Sequence, residues 1–307
     1  MGIRFDGQVA IVTGAGNGLG RSHALGLAAR GAKVVVNDFG GSRDGQESAA
    51  DRVVREIREA GGEALASNGS VSDQAAVDAM VAQAMQQWGR VDVLVNNAGI
   101  LRDKSFSKMD LDDFRAVLEV HLMGAVICTK AVWEIMREQR YGRIVMTTSS
   151  SGLYGNFGQS NYGAAKAGLV GLMNTLHLEG AKYGIHVNTL SPTAATQMTR
   201  GLLPEQALAL MTVESVTAAL LYLAHRSAPS RLILCAGAGG YAAARIYETD
   251  GIYLAPADQT PENIAADIGR ILDPQAQQML HGAFEQTTKF VDKAAAALGV
   301  DLDRKGD

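Results

Sequence analysis

Short apolar, often β-branched runs recur along the first 240 positions. They are VAIVTG (9–14), KVVVND (33–38), EALAS (63–67), VDVLVNN (91–97), RIVMTT (143–148), IHVNTL (185–190) and RLILCAG (231–237). Most are continuous rather than alternating, the pattern of strands covered on both faces. Longer segments with helical spacing separate them. In 46–60, for example, Ala49, Val53, Val54, Ile57 and Ala60 form one apolar stripe. Strands joined by helices build a parallel sheet with helices on both sides. The pattern therefore predicts a doubly wound α/β fold, with seven parallel strands in one domain over residues 1–240.

After Gly240 the alternation stops. Thr260-Pro261-Glu262 predicts a helix start, with a capping hydroxyl and proline in the first turn. Ile264, Ile268, Ile271 and Leu272 follow as an apolar stripe, and Phe284, Phe290 and Val291 add more apolar surface than a free tail carries. Residues 241–307 are expected to form a C-terminal extension that packs on the sheet domain or on a partner, in a homodimer or homotetramer.

The chain of 307 residues is 47% hydrophobic and 20% charged, with a net charge of −4. That balance has no basic footprint for nucleic acid. No polybasic patch and no apolar run of the roughly 18 residues needed for a span point to a membrane. MGIRFDGQVA has no apolar signal core. Cys128 and Cys235 lie in apolar contexts, as free thiols of a reducing compartment rather than a bridge or a metal pair. A cytoplasmic protein without a metal site is expected.

The first strand runs into TGAGNGLGR (13–21), a G-x-x-x-G-x-G pattern on Gly14, Gly18 and Gly20. Glycines here turn the chain tightly and let the backbone of Asn17, Gly18, Leu19 and Gly20 approach a pyrophosphate at a helix N-terminus. Asp38 ends the second strand, 24 residues past Gly14. There a carboxylate can bind both adenosine ribose hydroxyls and repel a 2′-phosphate, which favours NAD over NADP. Alternatively, Asp38 caps the turn before Gly40-Gly41. Neither Asn17 nor Phe39 supplies a cation for a phosphate, although Arg43 could reach in. VNNAG (95–99) closes the fourth strand and puts Asn96, Ala98 and Gly99 at the crevice, while Ser70 and Val71 flank an adenine.

SSSGLYGNFGQSNYGAAK (149–166) holds the candidate chemistry. Tyr162 and Lys166 are four apart and share a helix face. Ser149 stands 13 residues before Tyr162. Tyr154, Ser150 and Ser151 lack such spacing and are assigned lining or turn roles.

TGAGNGLG, NNAG and Ser149 ahead of Tyr162-x-x-x-Lys166 together resemble the short-chain dehydrogenase/reductase family, over about residues 5–240. NDFGG, NNAGILRDKSF and SGLYGNFGQSNYGAAK are similar, more closely, to the family's (3R)-hydroxyacyl-CoA dehydrogenase branch found in peroxisomal multifunctional enzymes. The resemblance implies a Rossmann-type fold and oxidation of (3R)-hydroxyacyl-CoA by NAD, with Tyr162 as base, Ser149 on the reacting oxygen and Lys166 on the tyrosine and the nicotinamide ribose. A free tyrosine has a pKa near ~10, and bringing it to ~7–8 takes ~3–4 kcal/mol. An ammonium at ~4 Å in an effective dielectric of ~20 supplies about 4 kcal/mol, so one lysine suffices.

The family's fourth catalytic position is usually asparagine. Here it is His121, a plain helix histidine or a direct general acid, and the multifunctional-enzyme branch is similar in carrying histidine there. Pro192 stands where the family has Pro-Gly, and Thr196-x-Met198 matches its carboxamide-binding T-x-M. The resemblance places a substrate lid at 199–215. Arg102, Lys104 and Arg200 would favour the phosphates of coenzyme A. A hydroxysteroid or steroid-side-chain acyl-CoA dehydrogenase, a 3-oxoacyl-carrier-protein reductase and a non-catalytic nucleotide sensor are the other readings.

Overall fold

The structure, a computed structural model, describes residues 2–40, 47–195 and 204–302. It divides into two compact units, residues 1–244 and 245–307. In the first, β1 (Val9–Thr13), β2 (Lys33–Asn37), β3 (Ala64–Ser67), β4 (Val93–Asn96), β5 (Gly142–Thr147), β6 (Ile185–Thr193), β7 (Ile233–Gly237) and β8 (Gly240–Ala244) form one sheet in the order β3-β2-β1-β4-β5-β6-β7-β8. The first seven strands are parallel, as their apolar runs require. β8 is an eighth strand, antiparallel to β7. Its sequence, GYAAA, has no β-branched residue, so strand propensity did not reveal it; pairing with β7 makes it a strand.

Helices α1 (Gly18–Ala28), α2 (Ala49–Glu59), α3 (Gln74–Trp88), α4 (Leu111–Leu118), α5 (Gly124–Gln139), α6 (Ser150–Tyr154), α7 (Ser160–Gly180), α8 (Glu205–Leu210) and α9 (Val213–Ala224) complete the unit. Strand residues alternate between two cores. Val12, Val36 and Val95 pack with Leu27 of α1, Ile57 of α2 and Leu220 of α9. Ile11, Leu94 and Ile144 pack with Met80 of α3, Met136 of α5 and Met173 of α7. On α2 the buried side is Ala50, Val53, Val54 and Ile57, so Ala50 takes the place expected of Ala49 and Ala60.

Leu111–Gln139 and Glu205–Ala224 are long and apolar enough to cross a membrane by length and composition alone, although single charges such as Lys130 and Glu134 interrupt the first stretch in sequence. Both contribute to the sheet's covering, through Val132 and Met136 in one and Leu220 and Leu223 in the other.

β1 pairs with β2 on one side and with β4 on the other. Strand order reverses there, and the crevice beyond the carboxyl ends of β1 and β4 is where such sheets take ligands. The second unit begins at Arg245 and holds α10 (Pro261–Ala266), α11 (Ile268–Ile271) and α12 (Ala283–Leu298). Thr260 caps α10 by accepting from the Asn263 amide, as expected. Lys289 of α12 pairs with Glu248, and Lys293 pairs with Asp250 at 2.7 Å. Ile264, Ile268, Leu272, Phe284 and Phe290 are exposed.

Candidate active site

The turn between β1 and α1 is interlocked. Gly14 sits at φ +61°, and a Cβ on it would lie 2.8 Å from the Ala98 Cα. A Cβ on Gly20 would lie 2.1 Å from the Gly14 carbonyl oxygen. Only glycine fits at both positions. Asn17, the residue before α1, makes no side-chain capping bond, so the first amides of the helix keep their donors for an anion. Asn17, Gly18, Leu19 and Gly20 line a cavity of ≈ 760 Å³.

Asp38, Ser70 and Val71 line the same cavity. The Asp38 carboxylate accepts from the Gly16 amide at 2.8 Å and the Gly40 amide at 3.0 Å. It therefore holds the glycine turn and caps its own loop, while its remaining lone pairs stay available to a ribose. Arg52 on α2 donates to Asn17 Oδ1 at 3.4 Å, a cation beside the turn that spacing did not indicate. Arg43 lies outside the described residues.

At the end of β4 the structure corrects one residue. Asn96 is 6% exposed and turns its amide to Thr129 Oγ1 at 3.1 Å, away from the cavity. It shares a sheet face with Leu94, as the two-residue period demands. Asn97 takes the expected place. Its Nδ2 donates to the Thr13 and Gly14 carbonyls at 3.0 and 3.1 Å, and Thr13 Oγ1 accepts from the Asn97 and Ala98 amides at 3.0 and 3.1 Å. Ala98 and Gly99 line the cavity as expected.

Ser149, Tyr162 and Lys166 face that cavity together. Ser149 follows β5 and caps α6, accepting from the Ser151 amide at 3.2 Å. Tyr162 and Lys166 lie one turn apart on α7, with Lys166 Nζ 5.5 Å from the tyrosine ring centroid. Two bonds fix the lysine. Its Nζ donates to the Thr147 carbonyl at 2.5 Å, and its own carbonyl accepts from Thr148 Oγ1 at 2.7 Å. Ser150 and Ser151 are lining residues, and Tyr154 is exposed.

The electrostatics differ from the expectation. Burial pushes the Lys166 ammonium down to about 7. Burial also pushes the Tyr162 phenol above its ordinary value; the Ser149 hydroxyl pulls the other way and the Asp103 charge adds to the rise. The chain's own charges thus do not lower the tyrosine. Lys166 directs its proton to the Thr147 carbonyl, and desolvation is the largest cause of the tyrosine's rise.

His121 lies in a π-helical turn (Glu119–Met123) between α4 and α5, and is 3% exposed. Its Nε2 is 2.7 Å from the Ile100 carbonyl oxygen and 3.0 Å from the Ile100 amide. Burial, helped by the Lys166 charge and opposed by the Ile100 contact, brings it down to about 3. Burial thus favours the neutral imidazole at His121. Its visible work is to hold the loop after β4.

Pro192 lies on β6 and lines the cavity. Thr196, Met198 and Arg200 lie outside the described residues. Arg102 and Lys104 both approach Asp113, at 3.5 and 2.9 Å. Their charge is shared with a carboxylate rather than offered freely to a phosphate. Asn156, Gln159 and Met211 also line the cavity; nothing in their local spacing marks them.

Residues 8–207 match the short chain dehydrogenase family. The mouse peroxisomal multifunctional enzyme type 2 is 45% identical over 302 residues, which cover 94% of this chain and 41% of that protein, so the chain spans less than half of this relative's length. The full-length peroxisomal multifunctional enzyme type 2 from Drosophila melanogaster superposes with a TM-score of 0.81 at 39% identity, covering 96% of this chain and 50% of that one. A 7α-hydroxysteroid dehydrogenase complexed with NADH and 7-oxo glycochenodeoxycholic acid superposes with a TM-score of 0.70 at 30% identity, covering 78% of this chain and 96% of that one. With the glycine turn and the Ser149, Tyr162 and Lys166 trio on one cavity, the chain belongs to the short-chain dehydrogenase/reductase family and is an oxidoreductase built for a nicotinamide cofactor.

Proposed function

We propose that the protein oxidises (3R)-hydroxyacyl-CoA to 3-oxoacyl-CoA with NAD, in a β-oxidation-type sequence. The observation that carries this is the convergence of Ser149, Tyr162 and Lys166 with the glycine turn and Asp38 on one cavity. The likeness to the multifunctional enzymes supports the thioester substrate. The Gly14–Gly20 cradle and the open amides of α1 fit a pyrophosphate, and Asp38 fits an unphosphorylated ribose. When bound, the nicotinamide ring accepts the carbinol hydride. Ser149 hydrogen-bonds the substrate oxygen, and Tyr162 removes the hydroxyl proton. Lys166 holds the nicotinamide ribose, and its ammonium together with a bound cofactor's positive ring would favour the phenolate.

With cofactor face and oxygen position both held, only one carbinol configuration directs its hydrogen correctly. The R thioester should be oxidised at least ~100-fold faster than the S form, a gap of about 2.7 kcal/mol. Steady-state rates on both enantiomers of several chain lengths, with NAD, test this; equal rates or a preference for S overturn it. The hydroxysteroid dehydrogenase likeness favours a second reading, a hydroxysteroid substrate, which 7α- and 17β-hydroxysteroids in the same panel would detect.

A homodimer or homotetramer belongs to the same proposal. It is supported by the exposed Phe284, Phe290 and Leu272 of the C-terminal unit, and a light-scattering mass of one subunit at micromolar concentration would reject it. Cytoplasmic residence is proposed on the unbridged Cys128 and Cys235.

A further inference from the structure

Asn161, the residue before the candidate base, has 0% exposure. Both ends of its amide are engaged. Oδ1 accepts from the Tyr162 amide at 2.7 Å, and Nδ2 donates to the Arg102 carbonyl at 3.0 Å. The first bond satisfies one of the orphan donors in the first turn of α7. The second crosses 59 residues of sequence to the loop after β4. Two more ties join the same segments, Gln159 Nε2 to Asp103 Oδ2 at 2.7 Å and the Lys104 amide to the Gly158 carbonyl at 2.9 Å.

That loop begins at Asn97, which is bonded to the carbonyls of the cofactor turn, and it passes His121 at Ile100. One short segment, 97–104, therefore runs from the glycine turn to the N-terminus of the catalytic helix. Few covalent bonds separate the two functions along it. A buried amide with donor and acceptor both satisfied is rigid, and its loss leaves the Arg102 carbonyl and the Tyr162 amide to find other partners.

We infer that Asn161 is a positioning residue: through Arg102 it sets the place of the Tyr162 phenol relative to the cofactor turn. Rate falls steeply with such misplacement, ~10²-fold for ~1 Å, whereas cofactor binding depends on the glycine turn, Asp38 and Lys166, and the Asn161 amide bonds only Tyr162 and Arg102. The inference rests on the proposed role of Tyr162 as base.

The test compares wild type, Asn161→Ala and Asn161→Asp in the intact protein. Asp keeps an acceptor for the Tyr162 amide but has no donor for the Arg102 carbonyl. Both variants should lose ~10-fold or more in kcat, read on the pH plateau so that the added charge does not count. Both should bind NADH within ~2-fold of wild type by fluorescence titration, and both should show a larger primary deuterium isotope effect on kcat. Hydrogen exchange should quicken in the peptide spanning 99–105 as well as around residue 161.

Recovery of kcat to within ~2-fold in Asn161→Asp would reduce Asn161 to a helix cap and overturn the inference, as would unchanged exchange at 99–105 in Asn161→Ala. Should the wild type oxidise no hydroxyacyl thioester, the proposed function fails, while the exchange comparison still decides the link between Asn161 and the loop.

Discussion

His121 meets Tyr162 edge-on, with ring centroids 5.2 Å apart and planes at 88°. The imidazole is packed against the base and tied to Ile100, and burial keeps it neutral. It packs against the tyrosine and holds the loop at Ile100. His121→Gln should therefore lower kcat by up to ~10-fold through the loosened Ile100 loop, and leave the shape of the kcat–pH profile between pH ~5 and ~9 unchanged. Disappearance of an ionisation from that profile would restore His121 as an acid.

Tyr162→Phe should cut turnover by ~10²-fold or more while NADH titration stays near wild type, since general acid–base terms are commonly worth ~10²–10⁴. Lys166→Ala should reduce turnover and loosen NADH as well, because the lysine is assigned to both. Near-normal turnover in Tyr162→Phe would sink the mechanism.

Asp38 has two duties in the structure, the Gly16 amide and the ribose position. Asp38→Ala should weaken NAD by ~10²-fold or more, the loss of two hydrogen bonds to a charged group, and narrow the discrimination against NADP. Because the turn loses its anchor, absolute NADP affinity should rise little. Faster turnover of the wild type with NADP than with NAD at equal concentration would refute the charge argument.

His23 on α1 is fully buried and shares a 2.8 Å hydrogen bond with Thr217 of α9. Burial brings it down to about 3, below the ~6.5 of an unfolded histidine. Between those values the unfolded chain binds more protons. Its contribution to stability is complete above pH ~6.5 and drains away as pH falls toward ~3. His121 acts with the same sign. Urea midpoints between pH 4 and 8 should fall on acidification, and His23→Gln should flatten that slope without abolishing it. An identical slope in the variant would show that His23 does not titrate on unfolding.

The sequence by itself determined the seven parallel strands, the glycine turn and the pairing of Tyr162 with Lys166. All three are local: strand runs carry their own apolar pattern, and a helix places residues four apart on one face. Tertiary structure decided what local spacing does not encode. Which asparagine of the Asn96-Asn97 pair faces the crevice depends on where β4 starts its alternation, so Asn97 displaced Asn96. Strand β8 exists because β7 offers it an edge. Arg102 and Lys104 looked free until α4 brought Asp113 to them. The direction of the tyrosine shift followed its burial, which spacing along one helix does not reveal. Asn161 meets Arg102 only after the sheet sets β4 beside β5. These are contacts between residues distant in sequence, and no periodicity announces them, because only folding brings their hydrogen-bonding groups within reach.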